Sequence, residues 1–165
     1  MTDKKIDLTF RNPTPDDGHA IWQLIQACPP LDVNSCYSYL LLSAHFSDTC
    51  VVAEAEGKIL GYVSGYIPPK KPDVLFIWQV AVSSEARGLG LAKRMIQHLQ
   101  EAVKGDGVQY LETTITPSNE ASQRLFQSLA RSWDTECVKS SFFTAEQFGG
   151  ESHEPEECYR IGPWQ

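Results

Sequence analysis

The chain lacks most of what would commit it to a special environment. Its five cysteines, Cys28, Cys36, Cys50, Cys137 and Cys158, are scattered, odd in number and never spaced Cys-x-x-Cys. That argues against a disulfide framework or a zinc site and leaves reduced, buried thiols as the expectation, with no metal. No basic cluster exceeds the pair Lys70-Lys71, and the formal net charge is −7. A nucleic-acid partner is therefore not expected, and a small cationic ligand suits the balance better. No apolar run nears the roughly 20 residues of a membrane span, and the opening MTDKKIDLTF has no signal-peptide core. The expectation is a cytoplasmic protein without a membrane partner. Repeats, low-complexity tracts and interdomain linkers are missing too. What remains is ordinary: 165 residues, 42% apolar and 21% charged, the make-up of one domain, residues 1–165, around one core.

One stretch stands out. Leu75–Val82 is an apolar, β-branched and aromatic run of strand length. Ser83-Ser84-Glu85 breaks it, and Arg87-Gly88-Leu89-Gly90-Leu91-Ala92 follows. From there Leu89, Ala92, Met95, Ile96 and Leu99 recur at helical spacing. A glycine turn opening a helix lets a ligand approach the backbone, and the first helical N–H groups have no partner. Those donors and the helix dipole suit a phosphate. A nucleoside-triphosphatase loop is excluded because Gly-x-x-x-x-Gly-Lys-Ser/Thr is absent. A dinucleotide fingerprint is excluded because Lys93 stands where its third glycine belongs.

In order, the chain predicts an edge strand at Leu8–Arg11 and a helix opened by Thr14-Pro15-Asp16-Asp17, buried through Ile21, Leu24, Ile25 and Cys28 and stopped by Pro29-Pro30. A second helix begins near Ser35, with Tyr37, Leu40, Leu41 and Ala44 as its stripe and Tyr39, Ser43 and His45 elsewhere. Strands follow at Cys50–Ala55 and Ile59–Ile67 around the turn Glu56-Gly57-Lys58. Pro68–Pro72 reads as an exposed linker. After the strand–loop–helix unit, which Gly105-Asp106-Gly107 ends, come a strand at Val108–Ile115, a helix at Asn119–Ala130 and a strand at Val138–Phe143. A polar loop at Gln147–Glu157 and a strand at Cys158–Ile161 close the order β-α-α-β-β-β-α-β-α-β-β.

The spacing Arg87-x-x-Gly90-x-Ala92, set between a strand and an amphipathic helix, resembles the pyrophosphate loop of the GNAT (GCN5-related) N-acetyltransferases. The element order resembles that family over the whole chain. The resemblance implies an α/β (α+β) GNAT fold: a mixed, mostly antiparallel sheet, splayed at the cofactor cleft and flanked by about four helices. It implies acetyl-coenzyme A as co-substrate, held by Arg87, Gly88, Leu89, Gly90, Leu91 and Ala92. Backbone groups of Val80, Ala81 and Val82, left unpaired by the splay, would meet the pantetheine arm as an added strand would. Asn119-x-x-Ser122-x-x-Leu125-Phe126 resembles the family's Asn-x-x-Ala-x-x-Leu-Tyr, placing Asn119, Ser122 and Phe126 near that arm. Asn119 is equally a plain N-cap. Phe126 is a departure, because the usual tyrosine is taken to protonate the leaving thiolate and phenylalanine cannot. A homodimer is also implied, with Phe142-Phe143 as a contact surface or as core.

Pro29–Tyr39, Phe76–Val82, Thr113–Asn119 and the C-terminal Gly149–Tyr159 resemble the diaminobutyrate acetyltransferases of ectoine synthesis, a branch of that family. The acceptor implied is a diamine amino acid, L-2,4-diaminobutyrate, with two ammonium groups and one carboxylate, acetylated at its γ-amine. Asp32, in a loop, suits the α-ammonium. Trp78 and Gln79 point to opposite faces of their strand, so one of them lines the amine pocket. Trp78 is the favoured one, against the aliphatic chain or an ammonium beside the reacting centre. Tyr37 offers a hydroxyl. His153 faces the carboxylate, and Glu154 or Glu156 binds an ammonium or relays the proton, so the catalytic pair expected is Glu154 with Trp78. Thr114 and Glu112 stand on the fifth strand, Glu112 as an exposed strand residue or a base. Each has a plain alternative: a turn cap for Asp32, core filling for Trp78, helix packing for Tyr37, and a solvated loop for His153 and its acids.

Overall fold

The computed structural model describes residues 6–150 and 152–164. The opening stretch before Ile6 and Glu151 of the expected polar loop lie outside the described residues. Seven strands are present among the described residues: β1 (Thr9–Arg11), β2 (Val51–Ala55), β3 (Lys58–Tyr66), β4 (Val74–Val82), β5 (Tyr110–Ile115), β6 (Cys137–Phe143) and β7 (Glu156–Ile161). They form one sheet in the order β1-β2-β3-β4-β5-β7-β6. β4 and β5 are parallel; β1–β2, β2–β3, β5–β7 and β6–β7 are antiparallel. Four α-helices, α1 (Gly18–Gln26), α2 (Cys36–His45), α3 (Leu91–Val103) and α4 (Glu120–Ser132), complete the expected α/β class. The chain divides into two compact units, Met1–Tyr66 with Gln79–Glu101, and Ile67–Trp78 with Ala102–Gln165. β4 crosses from the second to the first between Trp78 and Gln79.

In the first unit, α1 buries Ile21, Leu24 and Ile25 as its spacing predicts. Its opening differs from expectation. Pro15–Asp17 is a separate 3-10 turn, and the α-helix proper starts at Gly18. The reason is local: the Asp17 carboxylate accepts from the Thr14 amide at 2.7 Å and from both ends of the Arg11 guanidinium at 2.8 and 2.9 Å. Arg11 also reaches Glu54 at 2.6 Å, so one guanidinium ties β1, β2 and this turn. At Gly61 a Cβ would sit 2.8 Å from Met95 Cε, so the bare backbone of β3 admits α3 at close range.

The stripe expected on α2 is corrected. Tyr39, Leu42 and Ser43 are its buried residues, while Tyr37 is 66% exposed and Leu40 and Ala44 are exposed. Leu40-Leu41-Leu42 leaves the helix phase ambiguous to hydrophobicity alone. The phase is set by Tyr39, whose ring packs edge-on against Tyr62 at 6.2 Å and whose hydroxyl has a buried partner described below.

In the second unit, β5, β7 and β6 form an antiparallel meander-like face. β7 starts at Glu156, two positions before the strand expected at Cys158. Glu112 is neither exposed nor free, which corrects its reading as an exposed strand residue or a base. It is 4% exposed, accepts from Lys71 Nζ at 3.0 Å and is paired with Arg160, which lies over the Tyr110 ring at 3.7 Å. Lys71 thereby pins the expected linker Pro68–Pro72 to the sheet. Trp164 donates its indole N–H to the Val108 carbonyl at 3.0 Å and meets Trp133 edge-on, which anchors the C-terminal segment. β6 is exposed from Val138 to Phe143, so Phe142 and Phe143 are surface and not core.

Candidate functional site

The first unit holds the loop that singled itself out in the sequence. β4 ends at Val82, and Ser83 turns the chain. Its amide donates to Leu60 O at 2.8 Å, and its hydroxyl accepts from the Glu85 amide at 3.2 Å. Lys58 Nζ grips both oxygens of Glu85, at 2.8 and 2.9 Å. Arg87, Gly88, Leu89 and Gly90 follow, all exposed, and α3 begins at Leu91, which is buried. Gly88 has φ +81° and Gly90 φ +64°, backbone that L side chains avoid, and nothing lies within 4 Å of a Cβ built on either. The residues fit a diphosphate: an open, side-chain-free approach onto the first-turn amides of a thirteen-residue helix, with Arg87 beside it. Ala92 is half-buried in that turn.

On β4 itself, Val80 and Val82 are half-buried and Ala81 is buried. The parallel ladder to β5 runs from Val74 to Ile77, so Val80–Val82 lie past its last paired residue. The Val82 carbonyl is already taken by the Cys28 thiol at 3.4 Å. Burial raises the Cys28 thiol above its ordinary value, so it remains protonated and donates at neutral pH. Cys28, expected in the buried stripe of α1, is half-buried and lies just past the end of that helix.

Of Gln79 and Trp78, Gln79 is the buried one. Gln79 is 5% exposed and its amide is spent inside the protein: Oε1 accepts from Tyr39 Oη at 3.0 Å, and Nε2 donates to the Asp32 carbonyl at 2.8 Å. Its own backbone N–H goes to Ser64 Oγ at 3.1 Å, and the Asn34 amide reaches Tyr39 Oη at 3.4 Å. This corrects Gln79 as a pocket residue, because its polar atoms face the Asp32 loop from within. Helical spacing places Tyr39 off the apolar stripe, yet it is the centre of this network. Asp32 itself is exposed, and Tyr37 projects from α2 into solvent.

The second unit carries the other half of the expected residues. Trp78, the last β4 residue there, is 46% exposed, so core filling is excluded for it. Thr113 is the buried one of its pair and donates to Ile77 O at 2.9 Å; Thr114 is half-buried opposite Cys158. Asn119 caps α4, its Oδ1 accepting from the Ser122 amide at 3.1 Å. Phe126 is 3% exposed, beside buried Leu129 and Ala130, so this departure from tyrosine is accommodated as packing. Glu154, expected as a base, directs its carboxylate to Ser118: one oxygen accepts from the amide and the other from the hydroxyl. It braces the residue just before the α4 cap. His153 stacks on Phe148 at 3.9 Å with Nδ1 against the Glu154 carbonyl, and Glu156 is half-buried at the start of β7. In the sequence Ser118 reads only as an alternative to Asn119 for the cap of this helix, and Asn119 is the cap.

The acetyltransferase (GNAT) family profile matches residues 18–130. The chain is 52% identical over 163 residues to the L-2,4-diaminobutyric acid acetyltransferase of Chromohalobacter salexigens, covering 98% of this chain and 84% of that protein. It is 50% identical over 159 residues to the enzyme of the same name from Halomonas elongata, covering 96% and 82%. Among solved structures, the diaminobutyrate acetyltransferase EctA of Paenibacillus lautus, in complex with its substrate L-2,4-diaminobutyric acid and coenzyme A, superposes with a TM-score of 0.90 at 41% identity over 96% of each chain. With the glycine loop opening α3, the parallel β4–β5 pair and near-complete coverage by these relatives, the chain belongs to the GNAT acetyltransferase family.

Proposed function

We propose that this chain transfers the acetyl group of acetyl-coenzyme A to the γ-amine of L-2,4-diaminobutyrate, giving the Nγ-acetyl product and coenzyme A, a step of ectoine synthesis. The observation that carries the reading is identity of 50% or more over 96–98% of the chain to enzymes of that name. In this reading the whole chain, 1–165, is one N-acetyltransferase domain. Arg87 and the amides from Gly88 to Ala92 hold the diphosphate. The β4 backbone from Val80 to Val82 lies along the pantetheine arm, with Val80 N–H facing the thioester carbonyl as donor. In the second unit, Asn119 and Ser122 are the residues that the family resemblance assigns to that arm.

For the acceptor, the first unit offers Asp32 for the α-ammonium and Tyr37 as a hydroxyl, and the second offers Trp78 for the aliphatic chain and Thr114, His153 and Glu156 for polar groups. The attacking amine must be neutral. Its pKa near 10.4 lies about three units above neutrality, which costs about 4 kcal/mol. Holding both substrates in one orientation supplies more than that deficit. Because Glu154 is engaged by Ser118, water is the first acceptor of the ammonium proton, and Glu154 acts as the brace of the α4 start. Since Phe126 carries no hydroxyl, the leaving thiolate takes its proton from water or from the attacking nitrogen, which must lose one as the C–S bond breaks and the amide forms.

The enzyme works in the cytoplasm on small molecules, without nucleic acid or membrane. Among the described residues no helix is long and apolar enough to cross a membrane. We assign a homodimer with the β6 face of Val138, Phe142 and Phe143 as its contact, so that Phe142→Ser/Phe143→Ser gives monomer in sedimentation equilibrium. The reaction is tested with purified protein, acetyl-coenzyme A and a panel of amines, read by thiol release. Diaminobutyrate should exceed lysine and spermidine by at least an order of magnitude in kcat/KM; equal release from all three defeats the assignment.

A further inference from the structure

The network around Gln79 joins four pieces of the first unit: β3, β4, α2 and the loop before α2. Ser64 on β3 accepts from the Gln79 amide, Gln79 on β4 is capped by Tyr39 from α2, and the two side chains together take hold of the loop between the helices at two points, the Asp32 carbonyl and the Asn34 amide. The donors in it run in one direction. Asn34 N–H donates to Tyr39 Oη, Tyr39 donates to Gln79 Oε1, and Gln79 Nε2 donates to Asp32 O. Tyr39 and Gln79 are buried, at 0% and 5% exposure, whereas Asp32 is exposed. A buried amide that bonds the main chain of an exposed acid, and not its carboxylate, leaves that carboxylate available and fixes where it stands.

We propose that Tyr39 and Gln79 form a buried latch that positions the Asp32 carboxylate relative to the reacting strand β4, and that the latch sets the preference for an acceptor carrying an α-amino group. This rests on the reading of Asp32 as the α-ammonium partner. Gln79 immediately precedes Val80, so the element that presents the thioester and the element that presents the acid are joined through one side chain. Neither residue touches the acceptor; both are positioning residues. Their loss lets the loop wander and should weaken ground-state capture of the amino acid while sparing coenzyme A binding and the chemical step.

The test compares Tyr39→Phe, Gln79→Glu and Asp32→Asn, using diaminobutyrate and 4-aminobutyrate, which lacks the α-amine. Tyr39→Phe removes one hydroxyl without changing shape and decides the matter if the buried charge of Gln79→Glu prevents folding. In Tyr39→Phe the KM for diaminobutyrate should rise roughly tenfold, the loss of two neutral hydrogen bonds, with kcat and the KM for acetyl-coenzyme A within about twofold. The kcat/KM ratio of diaminobutyrate to 4-aminobutyrate should fall by the same factor, and deuterium exchange of the peptide spanning 31–35 should quicken. Asp32→Asn should lose that ratio without quickened exchange. If Asp32→Asn loses the ratio and Tyr39→Phe keeps it, the latch is refuted and the role of Asp32 stands. If Asp32→Asn keeps the ratio, the role of Asp32 fails and the latch with it. A fall in kcat with an unchanged KM for diaminobutyrate marks general loosening and also overturns the proposal.

Discussion

Gly90 offers the sharpest test of the diphosphate loop, because its backbone and its surroundings make opposite demands. The position has room for any side chain, with nothing within 4 Å of a built Cβ, yet its φ is +64°. Gly90→Ala therefore meets no clash, and its whole effect is the conformational preference of an L residue, about 1–2 kcal/mol against left-handed backbone. Where that energy appears depends on when the conformation is needed. If the free loop already holds φ +64°, strain falls on folding, partly offset by the ~0.4–1 kcal/mol gained from a stiffer unfolded chain. Coenzyme A binding is then unchanged. If the exposed loop relaxes when free, folding is spared and binding bears the strain, a loss of about 5- to 30-fold in affinity. Exposure from Arg87 to Gly90 favours the second course. Calorimetric titration with coenzyme A should show that loss in Gly90→Ala, less in Gly90→Asn, which tolerates the left-handed region, and more in the β-branched Gly90→Val. The acceptor KM should move less than about twofold. Parent affinity together with parent Tm in Gly90→Ala, or equal losses in Asn and Val, would refute the reasoning.

Three further outcomes follow from groups whose surroundings are now known. Glu112→Gln strips the charge from a carboxylate whose side chain is 6% exposed between Lys71 and Arg160; these cations are 47% and 38% exposed and regain water. The net loss is about 2–3 kcal/mol, or roughly 4–12 °C in Tm for a chain of this size. A shift under about 2 °C in a thermal melt contradicts it. The hydrogen bonds from Arg11 hold the Asp17 carboxyl below its ordinary value. Its contribution is thus complete above about pH 4, the value in the unfolded chain, and is lost as pH falls towards the lower folded value. Asp17→Asn should flatten the decline of urea stability below pH 4 and be less stable than the parent at pH 7; parallel pH curves would exclude the pair as the cause. Glu154→Gln and Ser118→Ala should each lower kcat several-fold and leave the pH–rate profile in place, as expected of a brace. Loss of the acidic limb in Glu154→Gln alone would return Glu154 to the role of base.

The fold was legible wherever one physical signal dominated. The Leu75–Val82 run, the glycine turn at Gly88 and Gly90 and the stripe of α3 each admit one reading, and the order of elements follows from them. The site was legible only as far as its exposed members. Trp78 and Gln79 alternate, so a strand must bury one of them, but alternation alone does not say which. What decides it is a hydroxyl 40 positions away in sequence, Tyr39, arriving from a helix whose three consecutive leucines conceal its phase. Glu112 fails for the same reason in reverse: an acid in a strand reads as exposed until two cations from distant segments, Lys71 and Arg160, make burial affordable. Buried polar contacts between remote segments leave no period in the sequence, since each partner alone looks like a surface residue in the wrong place. A strand glutamine or glutamate set in a largely apolar run, as Gln79 is between Trp78 and Val80 and Glu112 is after Leu111, is therefore a signal in itself. Its local pattern demands burial, its chemistry demands partners, and the partners are the residues that fix the loops around a site.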